Sequence, residues 1–294
     1  MASASYAGGN NTAVGYNAML VATTGSGLTA IGNQALDANT TGSNNTAVGS
    51  AALGASTTAI ESVAVGTFAL DANTTGSYNT AVGYNALSAN TTGTRNTSLG
   101  WGANRMGTTG AHNTAIGDAC MYQNDVTGSY NTGVGREALH YVIGSSNTAV
   151  GYQALFANTT GASNTAIGQG ALDSCTTGAE NTSIGKASME DVTTGNYNVA
   201  LGVEALREAT SAEENVAIGF QALEYATGSN NSALGTKAGE DVTTGGNNFF
   251  IGRETGVSGS PGGSITTGNN EGVIGNQSVS KINMQVSVTV ASDE

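Results

Sequence analysis

The chain has 294 residues, 44 of them glycine, with one proline, two cysteines and only 10% charged residues. Twenty-one acids against eight Lys and Arg give a net charge of −13, and 14 of the acids lie from Glu180 onward. Nothing basic is available to displace counterions from phosphates, so the balance excludes a nucleic-acid binder and disfavours an anionic membrane surface.

Residues 1–10 form a lead-in, "MASASYAGGN", with no basic patch before an apolar core, so no secretory signal is expected there. From residue 11 one sentence repeats: "NNTAVG" at 10–15 and 44–49, "YNTAVGYNALSANTTG" at 78–93. The glycine closing each "NTAVG"-like unit falls at 15, 32, 49 and so on to 275, and eleven of the fifteen intervals are 17 residues. Such a period marks a solenoid, in which each unit buries apolar surface against its neighbours. The predicted fold is all-β, a parallel β-solenoid or β-roll of about sixteen 17-residue coils, with its shaft at 11–257.

Within each unit three slots read as a short strand. The residue before the glycine is always aliphatic, as at Val48, Val82, Ile116, Val150, Ile167 and Ile184. Two places earlier stands Thr or Val, as at Thr12, Val63 and Val199, and slots two apart share a face. Both are therefore expected to face a core, with Val150 packed between Val134 and Ile167. The slot between them holds Ala, Ser or Gly, as at Ala13, Ala47, Ala81, Ala115, Ala149 and Ala217, until Phe250. A residue so small predicts close packing, either across the coil or against another chain.

Asn opens nearly every strand, including Asn45, Asn79, Asn113, Asn147, Asn164, Asn181 and Asn198. Stacked coils bring these amides about 4.8 Å apart, where each can bond the next. With Gly49, Gly83, Gly117 and Gly151, they and the aliphatic row make up the expected structural ladder.

After the glycine comes Ala-Leu, as at Ala35 and Leu36, a second buried segment that reads equally as strand or helical turn. A polar stretch ending "TTG" follows, with turn chemistry and variable length, so it should run outside the stack. The slot after Leu (Asp37, Gly54, Asp71, Arg105, His140, Phe156, Asp173, Glu190) varies so freely that exposure is expected.

Candidate chemistry is sparse. His112 and His140 occupy different slots and read as solvated loop histidines. Cys120 and Cys175, 55 residues apart, make neither a disulfide framework nor a metal spacing. "TGVGRE" at 132–137 lacks the third glycine and the lysine of a phosphate loop. The acids Asp37, Asp71 and Asp173 skip coils, unlike a calcium ladder. The sequons at Asn39 and Asn73 recur with the repeat and read as turns. An ice-binding face would need an exposed threonine row, and the valines sharing that slot argue for burial. No catalytic residue, cofactor or metal is expected.

At 258–264 "SGSPGGS" interrupts the repeat, one last coil follows, and Ile282, Met284, Val286, Val288 and Val290 alternate with polar residues as a one-sided strand. The region 258–294 thus reads as an interrupted last coil and a trimerising strand.

"NTAVG", "SVAVG" and "NVAIG" resemble the repeat of trimeric autotransporter adhesin heads, the YadA-like family, although the unit there is shorter. The longer unit with "YNAL" and "TTG" is similar to repeats of bacteriophage tail-fibre proteins, over about residues 11–275. The ending "ASDE" resembles the junction to an endosialidase-type intramolecular chaperone. The resemblance implies a left-handed roll, three chains side by side, and a fibre at the virion surface that contacts a host glycan or protein. It implies no enzyme and no membrane insertion. A bacterial adhesin head or an extracellular filament subunit is the alternative, and the former would call for an export signal and a membrane anchor.

Overall fold

The computed structural model describes residues 8–123, 127–260 and 263–280. Sixteen three-residue strands, β1 (Thr12–Val14) to β16 (Gly272–Ile274), form one sheet in sequence order. Every neighbouring pair is parallel and in the register of the repeat, so Thr148, Ala149 and Val150 stand beside Thr165, Ala166 and Ile167. The chain is therefore a parallel β-solenoid with no helix among the described residues.

The core sits where the small slot points. Ala30, Ala47, Ala81, Ala115, Ala149, Ala166 and Ala217 are fully buried, together with the Ala-Leu pairs of the following segment. Val14 is 57% exposed, Val150 37% and Ile167 39%. The expectation that the Thr and aliphatic slots face the core is thus reversed within the chain: Val48, Val82, Ile116, Val150, Ile167 and Ile184 point out of the coil. A coil this narrow has room inside the strand for little more than a methyl group, and the leucines of the opposite segment fill the rest.

The Ala-Leu segment is neither strand nor helix. Gln153 and Leu155 take φ of 54° and 51°, while Ala154 between them does not take positive φ, and the alternation recurs at Gln34 and Leu36. Left-handed φ costs an L-residue about 1–2 kcal/mol. What offsets it is hydrogen bonding in both directions along the stack. The Gln153 N–H donates to the Arg136 carbonyl of the preceding coil at 3.1 Å, and the Leu155 N–H to the Ala171 carbonyl of the following coil at 2.9 Å. Alternating φ lets Leu155 turn inward while neither backbone group is left unpaired.

Gly151 stands between strand and turn with φ 136°, and a Cβ there would lie 2.5 Å from the Gly168 carbonyl oxygen. Gly49, Gly83 and Gly117 repeat the arrangement. Conformation and coil spacing both exclude a side chain.

Candidate functional site

The asparagine row is a relay rather than a simple amide ladder. Asn147 Oδ1 accepts the backbone N–H of Asn164 at 3.0 Å, and Asn147 Nδ2 donates to the Gly161 carbonyl at 2.9 Å. The same pair of bonds is made by Asn79, Asn113, Asn164, Asn181 and Asn198, all buried, with Ala212 supplying the carbonyl for Asn198. Asn45 bonds Ser62 N–H and the Ala59 carbonyl in the same way. Direct amide-to-amide bonds, 3.1–3.3 Å long, join this row between Asn131 and Asn215. Each asparagine therefore ties its strand to the next coil and to the "TTG" turn, satisfying polar groups that would be costly alone.

A second buried asparagine row explains the sequons. Asn39 and Asn73 are fully buried and donate to the carbonyls of Gly42 and Gly76, closing their turns.

The slot after Leu departs from the expectation of exposure. His140 is 9% exposed, with Tyr122 on one side at a ring separation of 5.6 Å and Phe156 on the other at 5.0 Å. Its Nδ1 lies 3.2 Å from the Ala119 carbonyl, and burial holds its pKa below the ordinary histidine value. His112, exposed, stacks on Tyr130. In the same slot as His140, Glu224 is 1% exposed and pairs with Arg207 of the preceding coil at 3.2 Å. Residues that differ in chemistry are sheltered because successive coils stack them on one another.

Burial pushes the Cys120 thiol up to about 12 and the Cys175 thiol to about 11, so both stay protonated and inert. Among the described residues no cluster of three His, Cys, Asp or Glu could hold a metal, and no helix is long and apolar enough to cross a membrane.

What remains is the outward sheet face. None of the first and third residues of the sixteen strands is charged. The third is Val, Ile or Leu in all of them, and the first is Thr or Val in all but Ser232, Phe249 and Gly272. On a chain of charge −13 this is a charge-free stripe along the whole sheet, an aliphatic row beside a row that is mostly threonine. At its C-terminal end, beside Phe249, an open groove of about 250 Å³ is lined by Val216, Ile218, Leu234 and Ile251. The threonine row lies on this outward face too, which removes burial as an argument against ice binding.

No family model matches this chain, and no curated protein matches it. The end strand expected at 282–290 and the "ASDE" ending lie outside the described residues.

Proposed function

We propose that the chain is a structural fibre protein, the shaft of a phage tail or capsid fibre, which assembles as a homotrimer through its outward sheet face. One observation carries the reading: the uncharged aliphatic stripe, which a lone chain would leave in water. At about 4.8 Å per coil the sheet runs about 75 Å, and a stripe roughly 10 Å wide offers about 750 Å². Shared between the two neighbours of each chain in a trimer, that is about half the roughly 800 Å² per partner of a standard pairwise interface, and three such contacts close together. Exposed patches of this size mark interaction sites. A second copy is the fitting occupant, because its stripe has the same length, the same coil spacing and no charge to desolvate. The resemblance of the repeats to those of phage fibres supports a setting at a virion surface, with a host glycan or protein as the proposed target.

Light scattering on the purified chain tests assembly, with a mass near three times 29.0 kDa expected. A monomer at micromolar concentration would overturn it. Detection of the chain in purified virions tests the setting.

The outward threonine row supports a second reading, a face that orders water as ice does. Val63, Val199, Val216, Ser232 and Phe249 interrupt that row, which favours self-association. Thermal hysteresis by a monomeric chain would decide for ice.

A further inference from the structure

An interface built from near-identical coils has a difficulty of its own. Sliding one copy by a single coil, about 4.8 Å, sets Thr-Ala-Val against Thr-Ala-Val again and loses only the contacts of one coil. From β1 to β13 (Val216–Ile218) the first slot holds only Thr or Val, which have nearly the same shape. That part of the stripe cannot tell one register from the next.

The last three strands can. β14 (Ser232–Leu234), β15 (Phe249–Ile251) and β16 present Ser232, Phe249 and Gly272 in the first slot, a smaller residue on either side of the stripe's one aromatic side chain. Phe249 is 45% exposed, and its ring leans over Gly272, where any Cβ would collide with it. Beside it lies the apolar groove.

The platform under Phe249 is unusually fixed. Phe250, fully buried, takes the inward slot that elsewhere holds Ala, Ser or Gly in β1 to β14. Its ring occupies space that leucine fills in other coils: Gly239 and Gly256 stand in the Leu slots of the flanking segments. A Cβ on Gly239 would lie 2.8 Å from the Phe250 ring, and one on Gly256 would collide with it. Inside and outside the coil, the chain has broken its own repeat at one level.

We propose that Phe249 and its groove set the axial register between copies of this chain, each Phe249 seating in the groove of a neighbour aligned coil beside like coil. The inference rests on self-association through the stripe. A bulky side chain finds its full socket in one alignment alone, and a slip of one coil sets it beside the neighbour's Ser232 or Gly272 instead of its Phe249 level.

The test uses full-length chains with cysteine at Val65 or at Val82, neighbouring outward positions of adjacent coils far from Phe249. The two variants are co-expressed and joined by a short thiol cross-linker, the native cysteines being buried. With Phe249 present, 65–65 and 82–82 pairs should form and 65–82 pairs should be rare. With Phe249→Thr, which restores the ordinary residue of the slot, assembly should persist and 65–82 pairs should rise at least fivefold. Unchanged pairing in Phe249→Thr would overturn the proposal. So would loss of register on deleting 281–294 with Phe249 intact, since the tail would then hold that role. An assembled parent giving no cross-link removes the stripe as contact face, and the proposal with it. A monomeric parent instead defeats the self-association reading from which the proposal starts.

Discussion

The sulfur of Cys120 lies where Gly133 lacks a side chain: a Cβ on residue 133 would stand 2.6 Å from it and 3.3 Å from the Met121 methyl. Gly133 is the centre of its strand, where neighbouring strands carry Ala115 and Ala149. The larger residue of one coil is thus matched by a smaller one in the next.

Restoring the repeat there should therefore harm the protein. Gly133→Ala is expected to destabilise by about 1–3 kcal/mol through overpacking. Cys120→Ala combined with Gly133→Ala should recover most of the loss. Urea unfolding of both singles and the double checks this, and additive effects would contradict the shared space.

The two faces of one strand should respond oppositely. Ala149→Leu puts three extra heavy atoms into a fully buried slot and should abolish the cooperative fold seen by circular dichroism. Val150→Asp, at a position 37% exposed in the single chain, should leave the spectrum intact and abolish assembly in light scattering. Unfolding by Val150→Asp with Ala149→Leu tolerated would restore the opposite orientation of the strand.

Asn164→Ala removes the acceptor of the Asn181 N–H and the donor to the Gly178 carbonyl, leaving both groups buried without those bonds. A loss of about 2–4 kcal/mol is expected. Asn11→Ala, at a half-buried end of the row, should cost less. Equal midpoints for the two variants would show that the relay carries no stability.

Asp173 gives a pH dependence of defined sign. Burial first, and then the carboxylates of Glu190 and Asp191, raise its pKa from 3.8 to about 6. The folded chain therefore holds a proton that the unfolded chain has released between those values, and stability falls as pH rises through that window. Asp173→Asn should raise the melting temperature by about 1–3 °C near pH 7.5, a value reduced for partial exposure, with little gain near pH 4. A gain that persists undiminished at pH 4 would mean the carboxylate is not the cause.

Much of this was legible in the sequence. The 17-residue spacing gave coil and register, because a parallel stack needs like residues at like positions, and Thr165 does stand beside Thr182. The direction of the strand is not legible there, because Val and Ile usually mark a core. Here the coil is too thin for them, and only the size of the Ala slot carried the signal. Alternation at Gln34 and Leu36 was hidden because neither residue type favours positive φ; bonds to neighbouring coils impose it. The burial of His140 is not legible in the sequence, because the residues that shelter it, Tyr122 and Phe156, are neighbours only after stacking. The outward groove beside Phe249 could have been suspected from "NNFFIG", where the small slot first fails.

The bonds between coils also decide how the shaft behaves under load. They join each coil to the one before and the one after, so they lie along the axis of the stack. A pull on the two ends loads them in series, and the weakest coil opens first while the others stay closed. Each released 17-residue coil would pay out about 58 Å of extended chain at roughly 3.4 Å per residue, less the 4.8 Å it occupied. Such a shaft lengthens in near-equal steps rather than snapping, and stretching single molecules would show a sawtooth whose spacing reads out the repeat.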